Sequence, residues 1–201
     1  MVRVFLSDDA VFPYLKKRPS EYSIINTIQK IDLSSGCNEL DNLGYGFYFN
    51  DIALCANYVE KVEFINYDTS NIVDMSIMFN GCFKLKELNL SNFNTSKTKY
   101  MGFMFCGCEN LVELDLSNFD TRKVVNMSGM FEYCISLTRL DLSNFVINNT
   151  RLFYDMFVKC DKLKYIKCRK AFKEWCLKYK ETIGLPKSMY EGGDGIWDII
   201  D

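Results

Sequence analysis

Cysteine is the side chain best suited to chemistry in this sequence, because none of the 201 residues is histidine. Without histidine the chain lacks the commonest general base and the usual partner of a nucleophilic Ser or Cys. Nine cysteines are present, and four of them (Cys82, Cys108, Cys134 and Cys160) lie 26 residues apart. Zinc sites use closely spaced ligands, so these four are predicted to be reduced, buried structural thiols. A thiolate enzyme without histidine stays open as a minor alternative.

The composition favours a single soluble domain without a cofactor. The chain has 24 Lys plus Arg and 26 Asp plus Glu, a formal charge of −2, and 48% apolar residues. This balance argues against a globally basic nucleic-acid binder. No apolar run approaches the ~18 residues of a membrane span, and Met1-Val2-Arg3 leads into Ser7-Asp8-Asp9 rather than the apolar core of a signal peptide. We therefore expect a cytoplasmic protein that does not contact membranes.

A 26-residue period governs residues 59–168. The units share a Met-Phe pair followed by Cys and then a Leu-x-x-Leu-x-Leu segment, in which Ile166 and Cys168 replace the second and third Leu of the last unit. Ser-Asn-Phe follows this segment in the first three units. The Met-Phe pairs, for example, are Met78-Phe79, Met104-Phe105, Met130-Phe131 and Met156-Phe157. A fixed period of this length is typical of a solenoid, in which units bury their apolar faces by stacking.

Two periodicities alternate inside each unit. Met75, Met78, Phe79 and Cys82 follow i, i+3, i+4, i+7, which predicts one face of a short helix. Leu88-Asn89-Leu90 alternates as a half-buried strand. The predicted fold is an α/β solenoid with a parallel sheet on one face, short helices on the other, a 26-residue repeat and a cap at each end. Ladders of Asn (92, 118, 144) and Thr (69, 95, 121) are predicted to hydrogen-bond turn backbones.

The pattern weakens towards both ends, which divides the chain into three parts. Residues 1–58 are predicted to form an N-terminal cap with a degenerate first rung at 28–34. Residues 59–170 form the repeat, with a first full strand near 61–65. Residues 171–201 form a C-terminal cap, in which 171–182 is helical and Ile196-Trp197-Asp198-Ile199 is a closing strand.

The repeat units resemble a known family. Leu114-Asp115-Leu116-Ser117-Asn118-Phe119-Asp120-Thr121 and Asn126-Met127-Ser128-Gly129-Met130-Phe131 are similar to the unit of the BspA-like leucine-rich repeat proteins. The resemblance implies a leucine-rich-repeat solenoid and a binding role, since the family is known for bacterial surface adhesins rather than catalysis. It makes an extracellular surface the alternative location, and the tail of the chain is similar to ends found in such proteins of gut bacteria and their phages.

The outward positions of the predicted strands form columns in which acidic residues dominate the middle of the sheet. We expect a non-enzymatic protein–protein interaction module that binds a partner with a basic patch there, as a phage or bacterial host-interaction or inhibitory protein. A merely solvated face is the competing interpretation. The predicted partner-binding residues are Glu63, Glu87, Asn89, Glu113, Asp115, Arg139, Asp141, Tyr165, Lys167 and Arg169.

Charge is also divided along the chain. Residues 159–180 carry nine Lys or Arg against Asp161 and Glu174, a net charge of +7, whereas the rest of the chain carries −9. Two alternatives follow from this segment. It could bind nucleic acid or another anion, with bases stacking on Tyr165, Trp175 and Tyr179, or it could meet the acidic body of a second copy in head-to-tail self-association.

Overall fold

The computed structural model describes residues 2–6, 30–32, 59–64, 68–190 and 192–200. The strands of this part form two four-stranded sheets, ordered β2-β1-β3-β4 and β5-β6-β7-β8. The strands are β1 Val2–Leu6, β2 Lys30–Asp32, β3 Val59–Phe64, β4 Glu87–Leu88, β5 Glu113–Asp115, β6 Arg139–Leu142, β7 Tyr165–Arg169 and β8 Ile196–Ile200. The α-helix α1 spans Lys170–Lys178, and a 3-10 turn spans Lys187–Met189.

Hydrogen-bonded strands run parallel from β3 onward, as the single direction of the units predicts. Lys61 lies opposite Glu87, Glu113 opposite Arg139, and Arg139 opposite Tyr165. The partners in each pair are 26 residues apart, so the outward columns expected from the sequence match the observed register. The ladder is interrupted between β4 and β5, which belong to different sheets.

The predicted short helices between the strands do not form, and successive turns take their place. Amides in one turn segment donate to carbonyls of the next, as from Met75 to Tyr100 at 2.8 Å and from Ile77 to Gly102 at 2.9 Å. Positive φ angles interrupt α-helical bonding twice in each segment. These left-handed residues are Ile77, Gly81, Phe103, Gly107, Gly129, Tyr133, Asp155 and Lys159.

The i, i+3, i+4, i+7 pattern nevertheless identified the side chains that face inward. Phe79, Phe105, Phe131 and Phe157 are buried and stack in sequence, with ring centroids 5.5, 5.8 and 5.6 Å apart. Burial of each such ring contributes roughly 1.5–3 kcal/mol. The pattern was right about the core and wrong about the backbone, because a coil of turns can bury the same set of side chains.

The cysteines at 26-residue intervals are buried free thiols, as predicted. Each of the last three donates a hydrogen bond to a carbonyl of the preceding turn segment. The pairs are Cys108 with Phe79 at 3.3 Å, Cys134 with Phe105 at 3.1 Å and Cys160 with Phe131 at 2.9 Å. Burial raises the pKa of Cys160 to about 12.

The polar ladders bind turn backbones, also as predicted. The Thr95 hydroxyl donates to the Asp120 carbonyl at 3.2 Å and accepts from the Asp120 amide at 2.8 Å. Thr69 and Thr121 repeat this arrangement with Asn94 and Val146. The amide of Asn118 donates to the carbonyls of Leu90 and Phe93, and that of Asn144 to the Ser117 carbonyl. These bonds supply partners to backbone groups of the turns that strand ladders do not pair.

The N-terminal strands differ from the expected rung. β1 lies next to β3 and runs antiparallel to it, and β2 lies on the far side of β1, also antiparallel. β2, the described part of the rung predicted at 28–34, is therefore separated from β3 by β1. The 31-residue step from Ile31 to Val62 already departed from the period, and a strand from the predicted cap takes the place beside β3. Residues 7–29 and 33–58 lie outside the described part.

The C-terminal helix and strand occur where the sequence predicts them. Helix α1 ends at Lys178, four residues earlier than expected, and buries Phe172 and Cys176. The chain then turns through Gly184, whose φ of +63° suits glycine. β8 pairs in parallel with β7, placing Ile196 opposite Tyr165.

Candidate functional site

A pocket of about 270 Å³ opens on the outward face of the β5-β6-β7-β8 sheet. Strand alternation turns every second side chain towards it, while Leu140 between two of these positions is buried below. Six of the ten predicted partner-binding residues line it, together with Asp198, which was not predicted, and with Leu114 and Leu140 at its floor. The seven polar lining residues are Glu113, Asp115, Arg139, Asp141, Tyr165, Lys167 and Asp198.

The first row of the pocket consists of Glu113, Arg139 and Tyr165, and a chain of contacts links it to Asp198 on β8. Arg139 Nε lies 3.8 Å from Glu113 Oε1, and its guanidinium carbon lies 4.0 Å from the centre of the Tyr165 ring. The Tyr165 hydroxyl donates to Asp198 Oδ2 at 2.5 Å. This hydrogen bond is the main reason that the pKa of Tyr165 is raised above its ordinary value. The row thus presents a cation–π pair flanked by carboxylates.

The second row contains the aspartates that the sequence placed at the middle of the face. Asp115 Oδ1 accepts the Ser117 amide at 2.8 Å, and Asp141 Oδ1 accepts the Ser143 amide at 3.0 Å. Both carboxylates therefore hold the turn that follows their strand, a structural role that side chains of this type commonly have. Lys167 Nζ lies 3.3 Å from Asp141 Oδ2, and this contact raises the pKa of Lys167.

The face is less acidic than the sequence columns indicated. Four carboxylates line the pocket, but Arg139 and Lys167 lie among them, so the formal charge of its lining is −2. Both cations come from later units than the carboxylates that they contact. The pocket lining therefore mixes positive and negative side chains and carries a moderate excess of negative charge.

The remaining four predicted residues lie outside the pocket. Glu87 pairs with Lys61 at 2.8 Å, which lowers the pKa of Glu87. Asn89 Oδ1 accepts the Ser91 amide at 3.0 Å, and Arg169 Nε donates to the Ser143 carbonyl at 3.3 Å. Glu63 lies opposite Arg3 in the β1/β3 ladder. Glu63, Glu87 and Asn89 are separated from the pocket by the break between β4 and β5.

Asp198 is the pocket residue that sequence reasoning missed. Its strand was predicted from alternation, but its register was not, because Ile196 follows Tyr165 by 31 residues rather than 26. The alternation of Ile196–Ile200 could have indicated this residue, because Asp198 is the polar residue at the centre of this strand and is therefore expected to face outward.

A band of exposed apolar side chains on the turn segments was also missed. Ile77, Phe103, Tyr133 and Tyr154 are 45%, 40%, 46% and 54% exposed. The first three have left-handed backbones, and the helical pattern counted only the residues that face the core. This turn-face band is a second surface on which a partner could bind.

The basic segment is largely engaged by other groups. Lys164 contacts Asp194 at 2.5 Å, and Lys173 lies 5.7 Å from the Trp197 ring centre. Trp175 and Tyr179, which were expected to stack on bases, instead surround Phe153 at centroid distances of 5.1 Å. These rings therefore support the core rather than forming an open stacking platform.

Cys106 and Cys168, two further thiols of the described part, have raised pKa values. Burial and the nearby Glu132 raise the pKa of Cys106, and burial raises that of Cys168 to about 12, so these thiols are poor nucleophiles. Across the described ranges, no group of three or more His, Cys, Asp or Glu could hold a metal ion. Nor does any helix found there have the length and hydropathy to cross a membrane.

Comparison with known proteins gives one match. A family model described as "Mycoplasma protein of unknown function, DUF285" matches residues 49–169. This family is related to the BspA-like repeat proteins. No curated protein matches the chain. No solved structure matches it either.

Proposed function

We propose that this chain, which belongs to the DUF285 family, is a non-enzymatic protein-interaction module. Its proposed architecture is a leucine-rich-repeat solenoid of the BspA-like kind. Support for the solenoid comes from two kinds of bond between neighbouring units, each of which recurs every 26 residues along the chain. The hydroxyls of Thr69, Thr95 and Thr121 each bond 25 residues ahead, and the thiols of Cys108, Cys134 and Cys160 each bond 29 residues back. The relation of the family to BspA-like proteins points the same way.

The observation that carries the binding role is the pocket on the β5-β6-β7-β8 face. It combines the Arg139–Tyr165 cation–π pair with a negative excess that includes Asp115 and Asp198. A planar, amphipathic side chain beside an excess of negative charge is typical of a contact site for a basic protein surface. The charges would set encounter rate and specificity, and Tyr165 would supply buried contact area.

Charge reversal within the pocket tests this proposal. The double variant Glu113→Lys, Asp115→Lys is compared with the wild type in a cross-linked capture from host lysate, with and without nuclease. A matched control, Glu109→Lys with Asp161→Lys, changes the net charge equally outside the pocket. We expect a protein that the wild type and the control enrich and that the pocket variant loses.

The identified protein is then titrated against each purified variant over a range of salt concentrations. Binding that weakens with salt and disappears in the pocket variant would support the sheet face. Equal binding by all three proteins would contradict it and favour the turn-face band. Nuclease-sensitive material bound equally by all three would favour the basic segment 159–180 as a nucleic-acid site.

A further inference from the structure

The strand β8 has one edge that the described residues leave unpaired. The Ile196 amide donates to the Lys164 carbonyl of the β7 side at 2.7 Å. Because alternate residues of a strand bond to the same neighbour, the amides and carbonyls of Trp197 and Ile199 point away from β7. Among the strands that the structure describes, β8 pairs with β7 alone.

This edge has one charged residue, Asp198, and lacks the other usual features that prevent strand addition. The segment Ile196–Ile200 contains neither Lys nor Pro, and its register with β7 is regular throughout. Ile196 and Ile199 are 59% and 37% exposed. Protected edges are short, charged, bulged or covered. The unpaired amides and carbonyls of β8 could therefore form hydrogen bonds with a further strand.

The charges beside the edge specify which strand would fit. Asp141, Lys167 and Asp198 face one another across β6, β7 and β8, with Lys167 between the two carboxylates. The next place in this row, opposite Asp198, would be filled best by a cation. On the same face, Ile196 and Ile200 flank Asp198, so apolar residues two positions from that cation would cover them.

We propose that the β8 edge binds an extended segment of a partner protein that carries Lys or Arg opposite Asp198 and apolar residues two positions to either side. This inference rests on the proposed function and specifies which residues the binding segment of the partner would carry. A second copy fits less well. The strand Ile196–Ile200 contains no basic residue, so a second copy of β8 would bring no cation to Asp198 and could place the two Asp198 carboxylates opposite each other.

The test uses a fluorescein-labelled peptide, Thr-Val-Thr-Lys-Thr-Val-Thr, in which Lys is flanked at two positions by Val. A second peptide with Glu in place of Lys serves as its control. Fluorescence anisotropy measures the binding of both to the full chain. We expect the Lys peptide to bind on the order of tenfold tighter, and Asp198→Asn to remove most of that preference.

A backbone variant separates strand addition from attraction of charges. Ile199→Pro removes an amide that points away from β7 and leaves the bonds between β7 and β8 in place. Ile199→Thr keeps the amide and is the matched control. We expect Ile199→Pro to weaken binding of the Lys peptide about tenfold or more and Ile199→Thr to change it little. Circular dichroism checks that each variant is folded.

Each outcome bears on a distinct claim. Equal binding of the Lys peptide by Ile199→Pro and Ile199→Thr, or no preference for Lys over Glu, would overturn the edge proposal. The proposed function would survive that result if the captured partner still requires Glu113 and Asp115. A dimer that Ile199→Pro abolishes would assign the edge to a second copy and would also overturn the proposal.

Discussion

The hydroxyl of Tyr165 donates a hydrogen bond to Asp198, a residue 33 positions later, and so joins β7 to the strand that closes the sheet. The bond stabilises the protonated phenol, and the pKa of Tyr165 is therefore raised. A raised folded-state pKa gives stability that is fully present below the unfolded pKa of Tyr and is lost as the pH rises through the folded pKa.

We expect Asp198→Asn to lower the pKa of Tyr165 towards its ordinary value of 10.0. A neutral amide oxygen is a weaker acceptor than a carboxylate, so the hydrogen bond that mainly raises the pKa is weakened, and the charge that opposes ionisation is gone. Ultraviolet difference titration of wild type against Tyr165→Phe isolates this phenol, and the same pair in the Asp198→Asn background measures the change. An unaltered pKa in that background would show that Asp198 does not control Tyr165.

Glu87 provides a complementary test at acid pH. Its contact with Lys61 lowers the pKa of Glu87 below the ordinary value of 4.5. A lowered carboxylate pKa gives stability that is present above the unfolded pKa and is lost as the pH falls through the folded pKa. Lys61→Met is expected to raise the pKa of Glu87, as measured by NMR titration of its carboxyl carbon. Because the pair is exposed, we expect little change in stability at neutral pH.

The buried Thr95 hydroxyl is predicted to matter more than its size suggests. It binds both the amide and the carbonyl of Asp120, so Thr95→Val leaves two backbone groups without that partner. We expect a loss of about 1–3 kcal/mol in the free energy of unfolding, measured in urea. Thr95→Ser keeps the hydroxyl and is expected to cost less, near the ~0.8 kcal/mol of one methyl group. Equal losses would assign the effect to packing alone.

The sequence predicted the inward-facing residues better than the backbone that presents them. Met75, Met78, Phe79 and Cys82 are buried as expected. Helical spacing could not distinguish a helix from consecutive turns, because both bring these positions to one side. The left-handed conformation occurs at Ile77 and Phe103 as well as at glycines, so residue type alone could not predict which positions adopt it. The bonds between neighbouring segments, which are non-local, hold these residues there.

The candidate site was predictable to the extent that it obeys the period. Glu113, Arg139 and Tyr165 form one row because they are 26 residues apart. Asp198 enters the pocket from a strand outside the period, so only the folded chain shows its contact with Tyr165. The negative charge of the sheet face was overestimated for a related reason. The columns gave the residue types but did not show that Lys167 forms an ion pair with Asp141.

The left-handed backbone at Ile77 leads to a test of the turn segments. A β-branched residue at a φ of +57° is disfavoured by roughly 1–2 kcal/mol relative to glycine. Because Ile77 is 45% exposed, its replacement loses only part of the burial of an isoleucine, and that loss offsets some of the gain. We therefore expect Ile77→Gly to raise the free energy of unfolding by up to about 1 kcal/mol.

Ile135→Gly is the matched control for this stabilisation. Ile135 is 41% exposed, similar to Ile77, but it is not among the residues of positive φ. Glycine there adds conformational freedom to the unfolded chain without relieving strain, so we expect a loss of roughly 0.5–1 kcal/mol. Urea denaturation of the two variants beside the wild type gives the comparison. Destabilisation by both substitutions would contradict a strained backbone at Ile77 and would indicate that its side chain stabilises the turn segments by packing.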